Sequence, residues 1–498
     1  LIIMGKFTRR KFIKDSTLLG IGLTTVGLTS NIFKAEGGEA SNINEKGYCL
    51  KRTIPVIDEY DILVCGGGPS GIGAALSAAR LGAKVLLVEG TGCLGGMATS
   101  GLVSAFPRIG DGKDLMAGGI LWEVIDKMFK RGALGPGMTP DKYAQPPYCW
   151  IPFSAEEYKI LLDDLMIEAG VEVMFFTKLI DVDSSPENGR INGAVIHNIE
   201  GYKYVIAKNY IDCTGDATLA HLSGVECREA GRDTEGIMPA TIFQYIGNID
   251  FTNLGGGSRY LKKAVEDGFF TQPEYSLTGL YRSGESYGAL NAGHVFNLDA
   301  LRSKSLSDGM MKGRKVAHEF YEFYKKYVPG YQNAEQIATS ALMGVRESRR
   351  IVGEYELCYE DMRTLRVFPD QIGVFRYHID IHPYKPDPKI KNTTSSKTLK
   401  KFQDGEHFGI PYSIMVPKGW DNLWVAGRSV SSDILSNGSI RVQPCCIMMG
   451  EAAGAAAALA IRDDVNARTL DMRKLIRTLR AQGAYLPQEV TGKYMTTE

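Results

Sequence analysis

The amino-acid sequence predicts an α/β fold in which a discontinuous Rossmann-like domain carries an inserted α+β domain. Three observations support this prediction. A strand, a glycine-rich turn, a helix and a second strand follow one another over residues 60–89, and another strand with a tight turn lies at residues 423–428. Residues 226–404 have mixed patterning and no second nucleotide fingerprint. The outer parts are therefore expected to share one sheet, and the middle part to be an insertion.

The first element, residues 60–89, has the features of a dinucleotide-binding βαβ unit. Its turn is Gly66, Gly67, Gly68, Pro69, Ser70 and Gly71. Gly66 permits the tight turn, Gly68 lets the backbone approach a pyrophosphate, and Gly71 lets helix and strand pack closely. The helix N-terminus favours the phosphate charge. Glu89, at the end of the second strand, is placed to accept hydrogen bonds from a ribose.

A second match to the same glycine spacing follows immediately, at residues 90–95. The segment after it lacks an Ala-rich helical face and a second strand ending in an acid. We therefore interpret it as a glycine-rich turn, which is also the alternative to nucleotide binding for the first match.

Two later turns and a C-terminal helix favour FAD as the nucleotide. The turn Thr214-Gly215-Asp216 follows an apolar strand, and the turn Gly427-Arg428 follows another. The segment 436–441 then leads to Pro444, a residue favoured in the first turn of a helix. Small residues in that helix, including Gly450 and Gly454, would let it lie close against a ligand or a sheet.

The ordered set of motifs resembles the FAD-dependent oxidoreductase family whose members carry a GGMAT and a VAGR segment, within the glutathione-reductase-like flavoprotein group. The matching segments are the opening fingerprint, Gly95-Gly96-Met97-Ala98-Thr99, the TGD turn, residues 344–350, residues 377–383 and the C-terminal VAGR-to-helix block. The resemblance implies an FAD-binding domain interrupted by a substrate or cap domain, with the isoalloxazine between them. It leaves the substrate open.

The resulting prediction assigns four regions to the chain. Residues 1–55 are an export signal and linker, residues 56–225 and 405–465 form the FAD-binding domain, residues 226–404 form the inserted domain, and residues 466–498 are a helical tail. The residues expected to bind FAD are Gly66, Gly68, Pro69, Ser70, Gly71, Glu89, Gly95, Gly96, Met97, Ala98, Thr99, Thr214, Gly215, Asp216, Gly427, Arg428, Ser439 and Val442.

Composition narrows the partners. With 57 basic and 57 acidic side chains the chain of 498 residues has no net charge, so it offers no electrostatic footprint for nucleic acid. A small-molecule substrate and an unidentified electron acceptor or donor are expected instead. The nine cysteines show no CxxC spacing, and neither a disulfide framework nor a metal site is predicted.

The N-terminal segment predicts export. Arg9 and Arg10 precede a short, mildly apolar stretch from Leu18 to Leu28, which resembles a twin-arginine signal, a route that moves folded proteins. That stretch is too short and polar for a stable transmembrane span. We therefore expect a periplasmic protein; the alternative is a basic tail with no targeting role.

Residues 344–353 contain the first catalytic candidate. In a helix, Arg346, Arg349 and Arg350 would occupy neighbouring surface positions and could bind an anionic substrate or a flavin phosphate. The alternative is a solvated helix face on which Glu347 pairs with Arg350. We expect Arg346 to fix an anionic or strongly polar substrate.

Residues 377–383 contain the other catalytic candidates. Strand alternation would place Tyr377, Ile379 and Ile381 on one face and His378, Asp380 and His382 on the other. That polar row suits proton transfer coupled to hydride transfer, with His382 as the main candidate and His378 as the second; the alternative is an exposed strand face. His294 is expected to be a core or loop histidine.

The favoured function is an exported FAD-dependent oxidoreductase that transfers hydride between a small polar organic substrate and FAD. FAD supplies the hydride acceptor, while the protein orients the substrate and supplies an acid or base. Two alternatives stay open: a redox-neutral FAD-dependent lyase or isomerase, and an electron-transfer flavoprotein that acts with a partner.

Overall fold

The computed structural model describes residues 51–139, 142, 150–272, 274–275, 277, 279–386 and 399–487. The chain divides into the units Leu1–Thr53 and Ile54–Glu498, and every element below belongs to the second. The predicted export signal and a polar connection predicted at residues 392–397 lie outside the described residues.

Strands and helices alternate in the N-terminal part, and the longest helices come later. The strands are β1 (Val56–Cys65), β2 (Val85–Val88), β3 (Ala105–Phe106), β4 (Ile151–Pro152), β5 (Glu172–Met174), β6 (Lys178–Ser185), β7 (Arg190–Asn198), β8 (Gly201–Asp212), β9 (Cys227–Glu229), β10 (Gln244–Gly247), β11 (Gly279–Arg282), β12 (Gly288–Asn291), β13 (Glu335–Thr339), β14 (Arg349–Ile351), β15 (Gln371–Phe375), β16 (Phe408–Pro411) and β17 (Leu423–Val425). The helices are α1 (Pro69–Arg80), α2 (Gly119–Lys130), α3 (Ala155–Ala169), α4 (Thr218–Ser223), α5 (Gly257–Glu266), α6 (Ser303–Tyr327), α7 (Tyr359–Arg363), α8 (Ile434–Ile440), α9 (Gln443–Asp463) and α10 (Met472–Ala481).

A seven-stranded sheet contains both predicted parts of the Rossmann-like domain. Its order is β5-β2-β1-β8-β7-β6, and β17 also pairs with β8. The β5, β2, β1, β8 and β17 pairings are parallel, whereas β6, β7 and β8 form an antiparallel meander. The predicted α/β fold with a parallel, Rossmann-like sheet is confirmed, and the C-terminal strand β17 joins the sheet begun by β1.

Helices α1 and α9 cross so closely that their contact depends on glycine. A Cβ added to Gly450 would lie 2.0 Å from the carbonyl oxygen of Ser70, and one added to Gly454 would lie 2.1 Å from that of Ala74. From the other side, a Cβ on Gly73 would lie 2.4 Å from the carbonyl oxygen of Ile447. The small residues of α9 therefore allow close packing against helix α1, one of the two roles predicted for them.

Helix α9 is also the one helix of the described residues that is long and apolar enough to cross a membrane. Its most apolar stretch is 83% buried inside the fold, where it packs against α1, α2 and the strand β8. The absence of a stable transmembrane span stays a prediction.

The middle of the chain is built around a second sheet. Strands β11, β12, β10 and β13 form it in that order, all antiparallel. Its core includes Ile246 and Leu290 together with an aromatic group from α6, Phe320, Phe323 and Tyr324. This arrangement agrees with an α+β insertion, while its exact boundaries stay a prediction.

Two local predictions are wrong. Residues 344–353 form no helix: an irregular segment leads into β14, and Arg350 is buried with its guanidinium 2.5 Å from Asp233. Glu347 does lie 3.9 Å from Arg350, but both side chains are buried. Burial of these groups, with partners distant in sequence, outweighs the local helical spacing.

Residues 377–383 form no strand either. After β15 the segment has no regular secondary structure, and it is held by the hydroxyl of Ser439, which donates to the carbonyl of Tyr377 at 2.7 Å. The predicted alternation of side chains nevertheless survives, because Tyr377, Ile379 and Ile381 pack into the main core.

Candidate active site

The glycine-rich turn between β1 and α1 has the shape expected for a phosphate site. Gly66 has φ +99°, and a Cβ on Gly71 would lie 1.8 Å from the carbonyl oxygen of Gly66. A Cβ on Gly68 would meet nothing within 4 Å. Helix α1 begins there with Pro69 in its first turn and without a side-chain cap. Its first N–H groups and dipole are therefore available to an anion.

The GGMAT segment packs directly on this turn. Gly95 donates its N–H to the carbonyl of Gly67 at 2.8 Å, and a Cβ on Gly96 would lie 3.0 Å from the Cα of Gly68. A short 3₁₀ turn, Gly96–Ala98, follows, and the hydroxyl of Thr99 donates to the carbonyl of Leu94 at 2.5 Å. The loop thus forms one wall beside the fingerprint.

Glu89 lies at the end of β2, where the sequence predicted a carboxylate that binds the ribose. Its Oε2 accepts the N–H of Gly67 at 2.7 Å, and its Oε1 accepts that of Thr91 at 2.7 Å. These two bonds fix the carboxylate beside the phosphate turn.

The TGD and VAGR turns meet through an ion pair. Arg428 Nη2 lies 2.6 Å from Asp216 Oδ1, and Ser348 donates its hydroxyl to the same oxygen at 2.6 Å. Thr214 donates its N–H and hydroxyl to Asp212, and a Cβ on Gly427 would lie 2.9 Å from Ser70 Oγ. Four motifs far apart in sequence therefore form one side of the site.

Around the start of α9, several buried polar atoms have no hydrogen-bond partner among the described residues. They include Arg428 Nε, Asn437 Oδ1, Arg441 Nε and Gln443 Oε1. Val442 is the N-cap of α9 and makes no side-chain cap bond. Buried polar groups are normally paired, so this end of the site fits a large polar ligand, as the isoalloxazine of FAD is.

A cavity of about 550 Å³ lies against these elements. Its lining includes Met97, Arg428 and Val442 from the predicted FAD motifs. All three predicted catalytic residues, Arg346, His378 and His382, line the same cavity, together with Trp150, Tyr281, Asn291, Tyr377, Asp380, Arg441 and Gln443.

Arg346 is a buried cation that faces the cavity. Its side chain is only 8% exposed, and its guanidinium donates to the carbonyl of Pro239 and, at 3.2 Å, to the hydroxyl of Thr241. Burial, together with the charge of Arg441, lowers the pKa of Arg346 to about 10, so it stays protonated at neutral pH. No described carboxylate lies within ion-pair distance of the guanidinium, although buried charges are normally paired.

Asp380 and His382 form the titratable edge of the cavity. His382 Nε2 lies 3.3 Å from Asp380 Oδ1, and Arg441 lies 3.2 Å from Asp380 Oδ2. Burial, then the charge of Arg346, lowers the pKa of His382 to about 3 against the opposing effect of Asp380. Burial acts to raise the pKa of Asp380, but the hydrogen bond from His382 and the two arginines hold it well below its usual range. At pH 7 the site therefore presents a neutral imidazole beside a carboxylate.

His378 occupies a different position on the same edge. His378 is exposed, unlike His382. Partial loss of hydration, together with the charges of Arg108 and Arg441, lowers its pKa, although Asp380 acts in the opposite direction. Its ring packs at 4.1 Å, centre to centre, on that of Tyr377. No group of His, Cys, Asp and Glu side chains suited to a metal ion occurs in the part of the chain that the structure describes.

Sequence reasoning missed two members of this site. His294, expected to be a core or loop residue, lies with its Nε2 2.9 Å from His382 Nδ1 and its Nδ1 2.7 Å from Glu274. Both are almost fully buried, His294 at 7% and Glu274 at 5% exposure. No spacing rule links positions 274, 294 and 382, so only the fold could bring them together.

Comparisons with known proteins identify a matching family and one relative with a short matching segment. The sequence profile of a family described as FAD dependent oxidoreductase matches residues 61–479. A dihydrolipoyl dehydrogenase from Trypanosoma brucei brucei is 49% identical over 47 residues, and the match covers 9% of this chain and 10% of that protein.

Solved structures with a similar arrangement have low sequence identity. A geranylgeranyl bacteriochlorophyll reductase-like protein from Thermoplasma acidophilum is 16% identical, with a TM-score of 0.43, and the match covers 87% of this chain and 85% of that one. A p-nitrophenol 4-monooxygenase from Pseudomonas putida is 11% identical, with a TM-score of 0.39 and coverage of 89% and 84%.

A glycine-rich turn follows the carboxyl end of a parallel strand, and a large cavity lies beside the start of a second helix. Together these features define a dinucleotide-binding redox protein. The family match covers most of the sequence, and the chain belongs to the FAD-dependent oxidoreductase family. It is an enzyme, and its cofactor is FAD. The open position at Gly68 and the unpaired polar atoms at the start of α9 fit that cofactor.

Proposed function

We propose that this enzyme transfers hydride between a small, polar, anionic organic substrate and FAD, as a member of the GGMAT- and VAGR-containing type within the glutathione-reductase-like group. The observation that carries the proposal is the buried Arg346, which has no carboxylate partner among the described residues and lies in the same cavity as Asp380 and His382.

The cavity supports binding of a substrate that has both charge and apolar surface. Arg346 offers a planar guanidinium fork, a group that pairs with carboxylates through two parallel hydrogen bonds. Trp150 contributes an aromatic wall with Tyr281 and Tyr377, at ring-centre distances of 5.0 and 6.4 Å. A small hydroxy acid or a carbohydrate-derived acid combines these properties.

The protein's own residues have separate tasks in this reaction. FAD, when bound, would supply the hydride acceptor. Arg346 binds and orients the substrate anion, while His382, neutral and beside Asp380, accepts the hydroxyl proton. The dipole of α9 points its positive end at the cavity and favours negative charge there.

We propose further that the protein is exported to the periplasm through the twin-arginine-like segment at Arg9 and Arg10. The support is the paired arginines before a short apolar stretch, together with a cofactor that is bound by a folded chain. An unidentified small molecule or protein would then accept or donate the electrons, and neither nucleic acid nor a membrane span takes part.

The test is anaerobic reduction of the flavin. Purified FAD-loaded protein is mixed with a panel of hydroxy acids, sugar acids and their uncharged alcohol analogues, and the loss of flavin absorbance is recorded. We expect bleaching by an anionic substrate, much less by its uncharged analogue, and formation of the matching carbonyl product.

Other outcomes would overturn the proposal. Turnover without net bleaching would identify a redox-neutral lyase or isomerase. Flavin that no small molecule in the panel reduces, but that a protein partner does, would identify an electron-transfer flavoprotein.

A further inference from the structure

Four buried side chains form an unbroken line that starts at the cavity and leaves it. Asp380 contacts His382 at 3.3 Å, His382 contacts His294 at 2.9 Å, and His294 contacts Glu274 at 2.7 Å. Asp380 and His382 line the cavity, whereas His294 and Glu274 lie behind them. The two imidazoles therefore lie between two carboxylates.

The number of protons in this line follows from its geometry. Each of the three contacts needs one hydrogen, because two lone pairs facing each other repel. Two ionised carboxylates and two neutral imidazoles supply only two N–H groups. One contact therefore lacks a hydrogen until a third proton enters, and that proton makes one histidine an imidazolium between two carboxylates.

We propose that Asp380, His382, His294 and Glu274 form a buried proton relay, and that a carboxylate bound beside Arg346 increases its affinity for the third proton. The inference rests on the proposed function, since it assigns the relay to the hydride-transfer site. His382 is the catalytic residue, while His294 and Glu274 are positioning residues that act through it.

In the proposed reaction an alcohol carbon of the substrate is oxidised to a carbonyl. The substrate C–H bond breaks and its electron pair leaves with the hydrogen as hydride, which goes to FAD. The step starts from the relay with two protons, in which His382 donates its Nδ1–H to His294 and His294 donates its Nδ1–H to Glu274, so that His382 Nε2 carries no hydrogen. The O–H bond breaks, its proton goes to His382 Nε2, and the C–O bond becomes a carbonyl. The proton that His382 held at Nδ1 moves to His294 Nε2, so the positive charge is held between His294 and Glu274.

The surrounding charges explain why an anion loads the relay. Arg346 lines the cavity, where its charge opposes protonation of His382, whereas Asp380, which pairs with Arg441, favours it. Tyr281 also lines the cavity. A substrate carboxylate cancels the charge of Arg346, so the relay becomes a stronger base once the anion has bound. In the reaction the third proton comes from the substrate hydroxyl, whereas with acetate, which has no hydroxyl, it comes from solvent.

The experiment measures linkage between an anion and a proton. Acetate is titrated into the FAD-loaded protein between pH 5.5 and 8, with the flavin absorbance change as the signal. We expect the Kd to rise with pH, approaching roughly tenfold per pH unit if one proton enters with each acetate.

Variants separate the relay from the other histidine of the cavity. Glu274→Gln removes the carboxylate charge, and His294→Gln removes the imidazole that would carry the proton. Both replacements keep a side chain of similar size with polar atoms, so the acetate Kd should become nearly independent of pH. His378→Asn changes a histidine that lines the same cavity outside the relay, and the pH dependence should persist. Flavin content and absorbance show that each variant is folded.

The relay is overturned if the pH dependence survives in Glu274→Gln and His294→Gln, if His378→Asn alone abolishes it, or if acetate does not bind the wild-type protein. These results are distinct from failure of the proposed function. An enzyme reduced by hydroxy acids with pH-independent acetate binding loses only the relay, whereas pH-linked acetate binding without any flavin reduction loses only the proposed reaction.

Discussion

Arg346 and His382 show how burial changes what a residue can do. The sequence predicted a cluster of surface arginines, yet Arg349 pairs with Glu229 and Arg350 with Asp233, which leaves Arg346 as the buried cation at the cavity. The choice of Arg346 as the substrate-binding residue still stands as a prediction, although the helical reasoning behind it was wrong.

Replacement of Arg346 by lysine tests the need for a planar fork. Lysine keeps the charge but loses the second parallel hydrogen bond, so we expect a KM increase of about 10-fold or more, corresponding to about 1.4 kcal/mol or more, with a smaller change in kcat. Steady-state kinetics on a substrate identified by the panel would measure this. Arg349→Lys, three residues away and outside the cavity lining, is the matched control and should leave KM unchanged.

Removal of the His382 imidazole tests proton transfer. A positioned general acid or base contributes roughly 100- to 10,000-fold in rate, so His382→Ala should keep stoichiometric FAD while flavin reduction slows by about that factor. Stopped-flow absorbance gives the rate. An unchanged rate would place the base elsewhere in the cavity.

At the level of single elements, the contact between helices α1 and α9 leaves no room for side chains at its glycines. Gly450→Ala would force a Cβ to within 2.0 Å of the Ser70 carbonyl oxygen. Overpacking of this kind costs about 1 to 3 kcal/mol or more, and the displaced helix would disturb Ser70 in the phosphate turn. We expect a lower Tm and less bound FAD.

The control for that experiment is Gly256→Ala. Gly256 precedes α5, its φ is −78°, and an added Cβ would meet nothing within 4 Å. Its Tm and FAD content should match the wild type. Equal losses in both variants would show that the effect comes from glycine replacement in general.

Glu451 gives α9 a pH-dependent contact with α2. The carboxyl accepts the N–H of Ile120 at 3.2 Å, and burial raises its pKa to about 8, only partly offset by that bond and by Arg80. A raised pKa means that the folded protein binds the proton more tightly than the unfolded chain. The resulting stabilisation is complete below the ordinary pKa of a glutamate and is lost as the pH rises towards 8.

Glu451→Gln should remove this dependence, because the amide is neutral at every pH. We expect the variant to resemble the wild type near pH 4.5 and to have the higher Tm at pH 8, with the difference growing between these values. Thermal denaturation across this range measures it. A difference that is constant with pH would mean that Glu451 is ionised in the folded protein.

Elements with strong local signals were predictable, and those shaped by distant contacts were not. The unit β1-α1-β2 and the turns after β8 and β17 follow from apolar runs and glycine spacing alone. The segments 344–353 and 377–383 were misassigned because their side chains find partners far away in sequence, such as Asp233 for Arg350 and Ser439 for the Tyr377 carbonyl. Local periodicity carries no information on such contacts.

On the scale of the whole molecule, the sequence predicted the motifs that meet beside the cavity but not all of the side chains near them. That these motifs bind FAD stays a prediction. Each of the motifs that contain Gly66, Glu89, Asp216 and Arg428 can be read from a short stretch of sequence, an apolar strand with the residues that follow it. The Glu274–His294–His382 line depends on how the second sheet meets the main core, and no pattern in one sequence records that. Its members could be found only after the chain was folded.

Export is the remaining prediction for the molecule as a whole. Arg9→Lys combined with Arg10→Lys should leave the protein folded and flavin-loaded but inside the cell, because the paired arginines are the feature by which the twin-arginine route would recognise it. Cell fractionation with a flavin assay of each fraction measures this. Delivery outside the cytoplasmic membrane at the wild-type level would show that another route operates.

The contact between α1 and α9 also sets an order of events during synthesis. The ribosome adds Gly71 early and Gly454 late, and at about 5 to 20 residues per second this interval is roughly 20 to 80 s. Throughout it, the glycine face of α1 has no partner helix, and the end of β8 has no β17 beside it. A nascent chain therefore cannot complete the flavin pocket, and maturation must wait until almost all of the polypeptide has been made. Truncation or stalling after the second sheet would yield a colourless product, however well that sheet had formed.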